Sequence, residues 1–340
     1  MTLPSLQQFF SRSLGGSVMV AQIPTALSWL SDPVRVLAFR DKHERYRLTT
    51  LGLQTVRAVF PLSMASGIAQ LLRDLLTIDS EDKLLASWKP LDHLLVLELV
   101  SERLRNLRLF SQELAEQVDG WMEQHPDQTP LLYRHWIRGH VGKSRAVEIF
   151  GSLNVSVEGQ QLTPEESARR RSYIAALQAI VLFERGEGQT SEELERRWKI
   201  RNLEGIEEKW RDEMLWLLSG LAKLLDVRCF YFHLREECQA DAERIQRVKR
   251  HLRTMQMQIF SLQTHLKYCS PLGGILRAIR RTQTSTNGIR IGVQSIRRLE
   301  EAGVRKLNEL IHLQVEDFTK MGVRPDLAQQ IRRYAQKRLR

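Results

Sequence analysis

Helix-length segments with an apolar residue at every third or fourth position fill the chain from Asp82 to Ser270. Residues at this spacing share one face of an α-helix, and the helix buries that face against its neighbours. The segments lie at 91–107, 109–124, 130–138, 144–151, 164–186, 190–198, 203–225 and 236–268. No fixed period relates them. The pattern therefore predicts a single helical bundle over residues 81–270, within a mainly α fold.

The first 80 residues combine helical patterns with a short strand pair. The patterns predict helices at 5–14, 22–31 and 64–76, strands at 34–39 and 46–49, and a charged turn at 41–45. Thr49 or Thr50 can cap a further helix that begins at Leu51. Helix, helix, strand, charged turn and strand is the order of a winged helix, with the turn as its wing. Winged helices contact DNA in some proteins and only other protein domains in others, so both remain open for residues 1–80.

Residues 271–340 contain two units in which a glycine between apolar residues precedes a helix. Gly292 opens the first unit, which Gly303 closes, and Met321-Gly322-Val323 opens the second. This is the helix–hairpin–helix signature, in which glycine lets backbone amides approach a phosphate. Arg290 and Arg324 stand where such hairpins usually have one of their glycines, and an arginine contacts phosphate itself. Hairpins that pack without touching DNA are the alternative.

The positive charge of the chain is concentrated in the same segment. The formal net charge is +11, and residues 277–340 hold fifteen Lys and Arg residues against six Asp and Glu residues. A bias of one sign favours a polyanionic partner over a merely solvated tail. The candidate DNA-contacting residues of this segment are Arg290, Gly292, Arg297, Arg298, Gly322 and Arg324.

The helix predicted from about Leu203 to Leu225 carries a second candidate site. Its predicted core stripe consists of Ile206, Trp210, Met214, Leu217, Leu221 and Leu224. Lys209, Trp216 and Lys223 are seven residues apart and lie roughly 110–150° from the centre of that stripe. An indole between two lysines can stack on a nucleic-acid base while the lysines hold phosphates. Packing of Trp216 under a neighbouring helix is the alternative.

No catalytic constellation is found in the sequence. The segment Arg138–Ser144 contains Gly-Lys-Ser, but Ile137 stands where a phosphate loop needs its first glycine. The three cysteines, Cys229, Cys238 and Cys269, have neither zinc-finger spacing nor a disulfide framework, and they predict buried thiols in a reducing compartment. No signal peptide and no membrane-spanning run is recognised. We expect no catalytic site, metal or cofactor in these residues, no membrane partner, and a cytoplasmic location.

Five stretches together resemble the C-terminal part of the Ski-family superfamily-two DNA helicases. Tyr46–Gly52 is similar to the tyrosine–x–leucine–threonine–x–leucine–glycine ending of the family's winged helix. Pro90–Leu95 and Leu97–Ser101 resemble the opening of its helical domain. Ala179–Phe183 and Glu193–Ile200 resemble the lead-in to its ratchet helix, which crosses beneath the channel for single-stranded DNA. The resemblance implies a winged helix, a ratchet bundle and a helix–hairpin–helix domain over 1–80, 81–270 and 271–340.

The resemblance also implies the roles of particular residues and partners. Lys209 and Trp216 match the basic residue and the tryptophan that contact the strand, with lysine in place of the usual arginine. The family's RecA-like motor, which binds ATP and magnesium, would lie on another chain, or the sequence is a fragment. Single-stranded or branched DNA is the expected ligand, with RNA as an alternative. The resemblance implies DNA repair as the process, with defence and recombination left open. A protein scaffold that docks on the motor without touching the strand is the competing hypothesis, and an independent enzyme is a third.

Overall fold

The computed structural model describes residues 2–12, 16–33, 36–101, 110–134, 156–157, 160–161, 163–273, 293–304 and 309–339. The described part is mainly helical, as the sequence predicts. It divides into two compact units, Met1–Leu177 with Trp216–Ile259 (unit 1) and Gln178–Leu215 with Phe260–Arg340 (unit 2). The three-domain division at 80/81 and 270/271 remains a prediction, because each unit combines segments from two of the predicted domains.

The N-terminal part of unit 1 contains three helices and one strand pair. In chain order they are α1 (Leu3–Ser11), α2 (Gly16–Leu30), β1 (Ala38–Arg40), β2 (Tyr46–Leu48) and α3 (Thr50–Ala58). The strands are antiparallel, with Ala38 opposite Leu48. Thr49 caps α3, since its hydroxyl accepts a hydrogen bond from the Gly52 amide at 3.0 Å. The predicted strand positions Val34 and Arg35 lie outside the described residues.

The charged turn between the strands is ordered by Asp41. Its carboxylate accepts hydrogen bonds from the amides of His43 at 2.9 Å and Arg45 at 3.0 Å, and the Arg47 guanidinium donates at 2.8 Å. These donors lower the pKa of Asp41 to about 2, with the Arg45 amide as the largest cause. The tip of the hairpin therefore has a fixed backbone although its side chains are charged and exposed.

The rest of unit 1 is built from helices around a buried central helix. They are α4 (Leu62–Ile78), α5 (Lys83–Ala86), α6 (Pro90–Val100) and α7 (Gln112–Gln124), followed by helical residues 131–134. A two-residue strand pair, β3 (Ser156–Val157) and β4 (Gln160–Gln161), precedes α8 (Pro164–Gly186), whose residues up to Leu177 belong to this unit. Residues 91–99 of α6 are all buried, so this helix has no solvent face.

Buried polar groups of α6 are held by specific partners. Asp92 accepts hydrogen bonds from the amides of Lys89, Leu131 and Leu132 at 2.9–3.1 Å. The Trp88 indole donates to His93 Nδ1 at 3.2 Å, while His93 Nε2 lies 3.0 Å from the side chain of Gln258. Burial without a charged partner lowers the pKa of His93 to about 4. A neutral ring is therefore part of this core.

Unit 2 contains α9 (Ser191–Trp198), the first part of α10 (Leu203–Leu224), and the end of α11 (Ala242–Tyr268). Its C-terminal helices are α12 (Val293–Glu301), α13 (Glu309–His312), α14 (Val315–Lys320) and α15 (Pro325–Leu339). One hydrophobic cluster joins them to Leu272 and includes Leu299, Phe318 and Ile331, each 1% exposed or less. A single hydrophobic core therefore supports both of the glycine–helix segments that the sequence predicts in residues 271–340.

The remaining sequence predictions concern the cysteines, the Gly-Lys-Ser segment and membrane-spanning helices. Cys229 is buried, as predicted, but Cys238 and Cys269 are only partly buried; all three are free thiols. The Gly-Lys-Ser segment 138–144 and the predicted helix 144–151 lie outside the described residues. Within the described ranges, no helix is both long enough and apolar enough to cross a bilayer.

Candidate nucleic-acid interface

Helix α10 has the core face that the sequence predicts over its second half. Met214, Leu217, Leu221 and Leu224 are each 2% exposed or less, and they recur at three- and four-residue steps. Glu204 lies in the first turn and Lys223 in the last, so both charges complement the helix dipole. The end of α10 that belongs to unit 1 is therefore firmly packed on one side.

The predicted core stripe is wrong in the first two turns of α10. Ile206 is 38% exposed, and the inward positions are taken by Leu203 and Glu207, which are 0% and 1% exposed. Glu207 is buried because two arginines pair with it: Arg185 at 3.3 Å and Arg211 at 3.0 Å. A paired carboxylate at this position displaces the isoleucine from the core.

The three predicted residues of α10 are all on its exposed side. Lys209 is exposed and belongs to unit 2, whereas Trp216 and Lys223 belong to unit 1. Trp216 is 41% exposed, although three leucines within two turns of it are almost completely buried. The Lys223 ammonium donates to the Arg57 carbonyl oxygen at 3.1 Å, near the end of α3. Lys223 therefore also connects α10 to the N-terminal part of the unit.

The exposed side of α10 in unit 1 is bounded by two neighbours. On one flank Gly220 packs against the Phe60 ring so closely that a Cβ atom there would lie 2.1 Å from a ring carbon. On the other flank the Gln256 side chain of α11 donates to the Ala222 carbonyl oxygen at 2.8 Å. Between these contacts Trp216, Ser219 and Lys223 face solvent; we call these three residues the α10 stripe.

The second predicted hairpin is a glycine-capped helix end. Gly322 has φ +75°, its amide donates to the Thr319 carbonyl at 2.9 Å, and the Val323 amide donates to the Phe318 carbonyl at 2.8 Å. This is a Schellman motif, which needs the left-handed backbone that glycine adopts without strain. Gly303 ends α12 with the same pair of bonds, from Gly303 to Glu300 and from Val304 to Leu299. Both amides of each glycine–valine pair are therefore already used within the chain.

The arginines near this hairpin differ in what they contact. The Arg298 guanidinium donates to the Gly322 carbonyl oxygen, so it connects α12 to the hairpin. Arg324 pairs with Asp326 at 2.6 Å, and this hydrogen bond is the main cause of the lowered pKa of Asp326. Arg297 is exposed and has no ion pair within the described residues. Arg290 and Gly292 lie outside the described residues.

The exposed groups of the predicted residues are an indole, ammonium groups and guanidinium groups, which suit bases and phosphates. Among the described residues, no three His, Cys, Asp or Glu side chains are grouped so that they could hold a metal ion. None of the predicted site residues lies on α11, although residues 244–268 contain six Lys and Arg residues and no Asp or Glu.

No protein-family model matches the chain, and no curated protein sequence matches it either. The resemblance to the Ski-family helicases therefore depends on the residues and motifs quoted above.

Proposed function

We propose that this chain is the nucleic-acid-binding accessory portion of a Ski-like superfamily-two DNA helicase. It guides single-stranded DNA for an ATP-dependent motor whose motifs these 340 residues do not contain. In this proposal residues 1–80 form a winged helix, 81–270 the ratchet bundle and 271–340 the helix–hairpin–helix domain. The partners are single-stranded or branched DNA, with RNA as an alternative, and a RecA-like motor that brings ATP and magnesium.

The exposed indole of Trp216 is the observation that carries the proposal. A tryptophan that only filled a core would be buried like Leu217 and Leu221 on the same helix, yet it is 41% exposed. Lys223 lies two turns further along the same stripe, where its ammonium can reach a phosphate while its stem lies on the protein. An indole and an ammonium on one surface match what a single strand offers, namely base faces and phosphates.

The C-terminal segment supports the proposal through its charge more than through its hairpin backbone. The Gly322 and Val323 amides are occupied within the chain, so phosphate contacts here would come from arginine side chains such as Arg297 and Arg324. Arg324 would have to exchange its exposed Asp326 partner for a phosphate. That exchange costs little, because ion pairs at the surface contribute little to stability.

The test is the affinity of the chain for a fluorescein-labelled oligothymidylate, measured by fluorescence anisotropy. We expect Trp216→Ala to weaken binding by about 1–3 kcal/mol, because one base loses its stacking platform. Phe232→Ala is the matched control, since Phe232 is 70% exposed in the same unit but lies off the α10 stripe. It should bind like the wild type. If the double variant Trp216→Ala, Lys209→Ala binds the oligonucleotide as tightly as the wild type, the ratchet assignment is wrong.

The competing function, a scaffold that docks on a motor without touching the strand, is favoured by a different surface. Leu53, Val56, Val59 and Leu62 recur every three residues and are 38–74% exposed. Apolar residues grouped at the surface in this way are typical of protein contacts. Under this function, a Val56→Asp variant would lose motor binding while no α10 variant changed oligonucleotide affinity.

A further inference from the structure

Helix α11 presents a group of exposed cationic side chains that lies beside the α10 stripe. Lys249, Arg250 and Arg253 are exposed, and Met257, 56% exposed, follows them one turn later. We call these four residues the α11 basic surface. All of them belong to unit 1, as do Trp216 and Lys223.

The two arginines of this surface are not neutralised within the described chain. Arg247 and Arg244, about one and two turns before Arg250, pair with the buried carboxylate of Asp82 at 3.0 Å. In contrast, Arg250 and Arg253 form no ion pair with any described residue. The first two arginines of α11 therefore have a structural task, whereas among the described residues Arg250 and Arg253 have no acidic partner.

Stability of α11 does not explain the group either. Lys249 and Arg253 are four residues apart, and Arg250 and Arg253 are three apart, so their charges face each other along the helix. Like charges at these spacings destabilise a helix. A polyanion bound across them would reverse that effect.

One hydrogen bond and one interaction between charges place this surface next to the α10 stripe. The Gln256 side chain reaches the Ala222 carbonyl, one residue before Lys223. The charge of Lys249 helps to lower the pKa of Asp226, for which the Arg228 hydrogen bond is the largest cause, so Lys249 lies near the end of α10. Arg253 lies between Lys249 and Gln256 in α11 and is therefore level with the last turn of α10.

We infer that the α11 basic surface binds the phosphates of the same single strand whose base stacks on Trp216, with Arg250 and Arg253 as the main contacts. This inference depends on the proposed function. The occupant follows from charge complementarity, because a polyanion matches three exposed cations of which Arg250 and Arg253 have no ion pair among the described residues, and from continuity with the α10 stripe. Met257 offers a flat apolar contact to a sugar or a base between the phosphate contacts.

The salt dependence of oligothymidylate binding tests the inference. For single strands the logarithm of affinity falls with the logarithm of salt by about 0.7 per phosphate contact. We expect Arg250→Gln with Arg253→Gln to reduce that slope by about 1.4 and to weaken binding at low salt on the order of tenfold. Lys83→Gln with Arg196→Gln is the matched control, since it removes the same charge from exposed side chains that are already ion-paired. The control should keep the wild-type slope.

Cross-linking gives a readout that does not depend on removing charge. With p-benzoylphenylalanine at position 257, ultraviolet light should couple the chain to the oligonucleotide, whereas the same group at the exposed position 123 of α7 should not. An unchanged salt slope in the double variant, with Trp216→Ala still impaired, would overturn this inference alone. If the double variant lost binding to phosphatidylserine vesicles but kept its oligonucleotide binding, the surface would bind lipid and the inference would also be overturned. A wild-type chain that binds no oligonucleotide would overturn this inference and the proposed function together.

Discussion

Asp92 shows how a single residue can make the pH dependence of this protein unusual. Its carboxyl group is completely buried, and burial outweighs three backbone amide donors, so its pKa is raised to about 6. In the unfolded chain the same group has the ordinary pKa of about 3.9. Between these values the folded state holds a proton that the unfolded state has released.

We therefore expect the contribution of Asp92 to stability to fall as pH rises from about 4 to 6, and to stay constant above that. A shift of about two pKa units corresponds to about 3 kcal/mol. The measurement is urea unfolding of the wild type and of Asp92→Asn at several pH values. Because asparagine does not titrate, the wild type should lose stability relative to the variant across this window. A difference between the two chains that is independent of pH would contradict the raised pKa.

Individual residues also mark what the sequence could not predict. The sequence predicts that Trp216 lies away from the core stripe of its helix, but it leaves open whether a neighbouring helix covers the indole; in the structure Trp216 is 41% exposed. The burial of Glu207 does not follow from the sequence, because it depends on Arg185 and Arg211 arriving from elsewhere in the chain. The same holds for Arg298, whose charge suggests a phosphate contact but whose guanidinium holds the Gly322 carbonyl.

At the scale of elements, α10 contains two glycines that should respond oppositely to the same substitution. Gly220 lies against Phe60, and an added Cβ would come within 2.1 Å of the ring. Gly205 has no neighbouring atom within 4 Å of that position. The two residues thus separate the cost of a clash from the gain in helix propensity.

We expect Gly220→Ala to lower the free energy of unfolding by about 1–3 kcal/mol, because Phe60 must leave its buried site. Gly205→Ala should raise it by about 0.5–1 kcal/mol, since alanine loses less backbone entropy in a helix. Thermal unfolding followed by circular dichroism measures both. Equal effects of the two substitutions would mean that Gly220 and Phe60 are not in contact.

Most helices could be placed from the sequence because each has a polar boundary and a one-sided apolar pattern. The observed Pro164–Gly186, Ser191–Trp198 and Leu203–Leu224 agree with the predicted bounds within one residue. Helix α6 could be recognised as helical, but its complete burial could not be foreseen, because its polar residues Asp92, His93 and Glu98 would ordinarily face water.

At the scale of the whole molecule, the compact units cannot be read from consecutive sequence. Their boundaries fall inside α8, α10 and α11, so unit 1 is completed only by Trp216–Ile259. That later segment supplies Arg244 and Arg247 to the buried Asp82, and Gly220 to the Phe60 ring. Apolar periodicity identifies individual helices, but it does not show which helices distant in the sequence pack against one another.

A fragment of residues 1–177 should therefore fold poorly on its own. It would leave the carboxylate of Asp82 buried without its arginines, a loss of about 3–5 kcal/mol, and would uncover Phe60. We expect it to bind a hydrophobic dye and to melt without a cooperative transition, while the full chain melts cooperatively. A fragment as stable as the full chain would contradict the division into these units.

The glycine caps that end α12 and α14 have a consequence for how chains of this kind diverge. Gly303 and Gly322 both occupy left-handed backbone, and the valine that follows each enters the same core. Selection on these positions acts through backbone shape, so it does not depend on any ligand of this segment. In descendants of this sequence we expect positions 303 and 322 to remain glycine, or to change only to asparagine, while the surrounding arginines drift with the ligand.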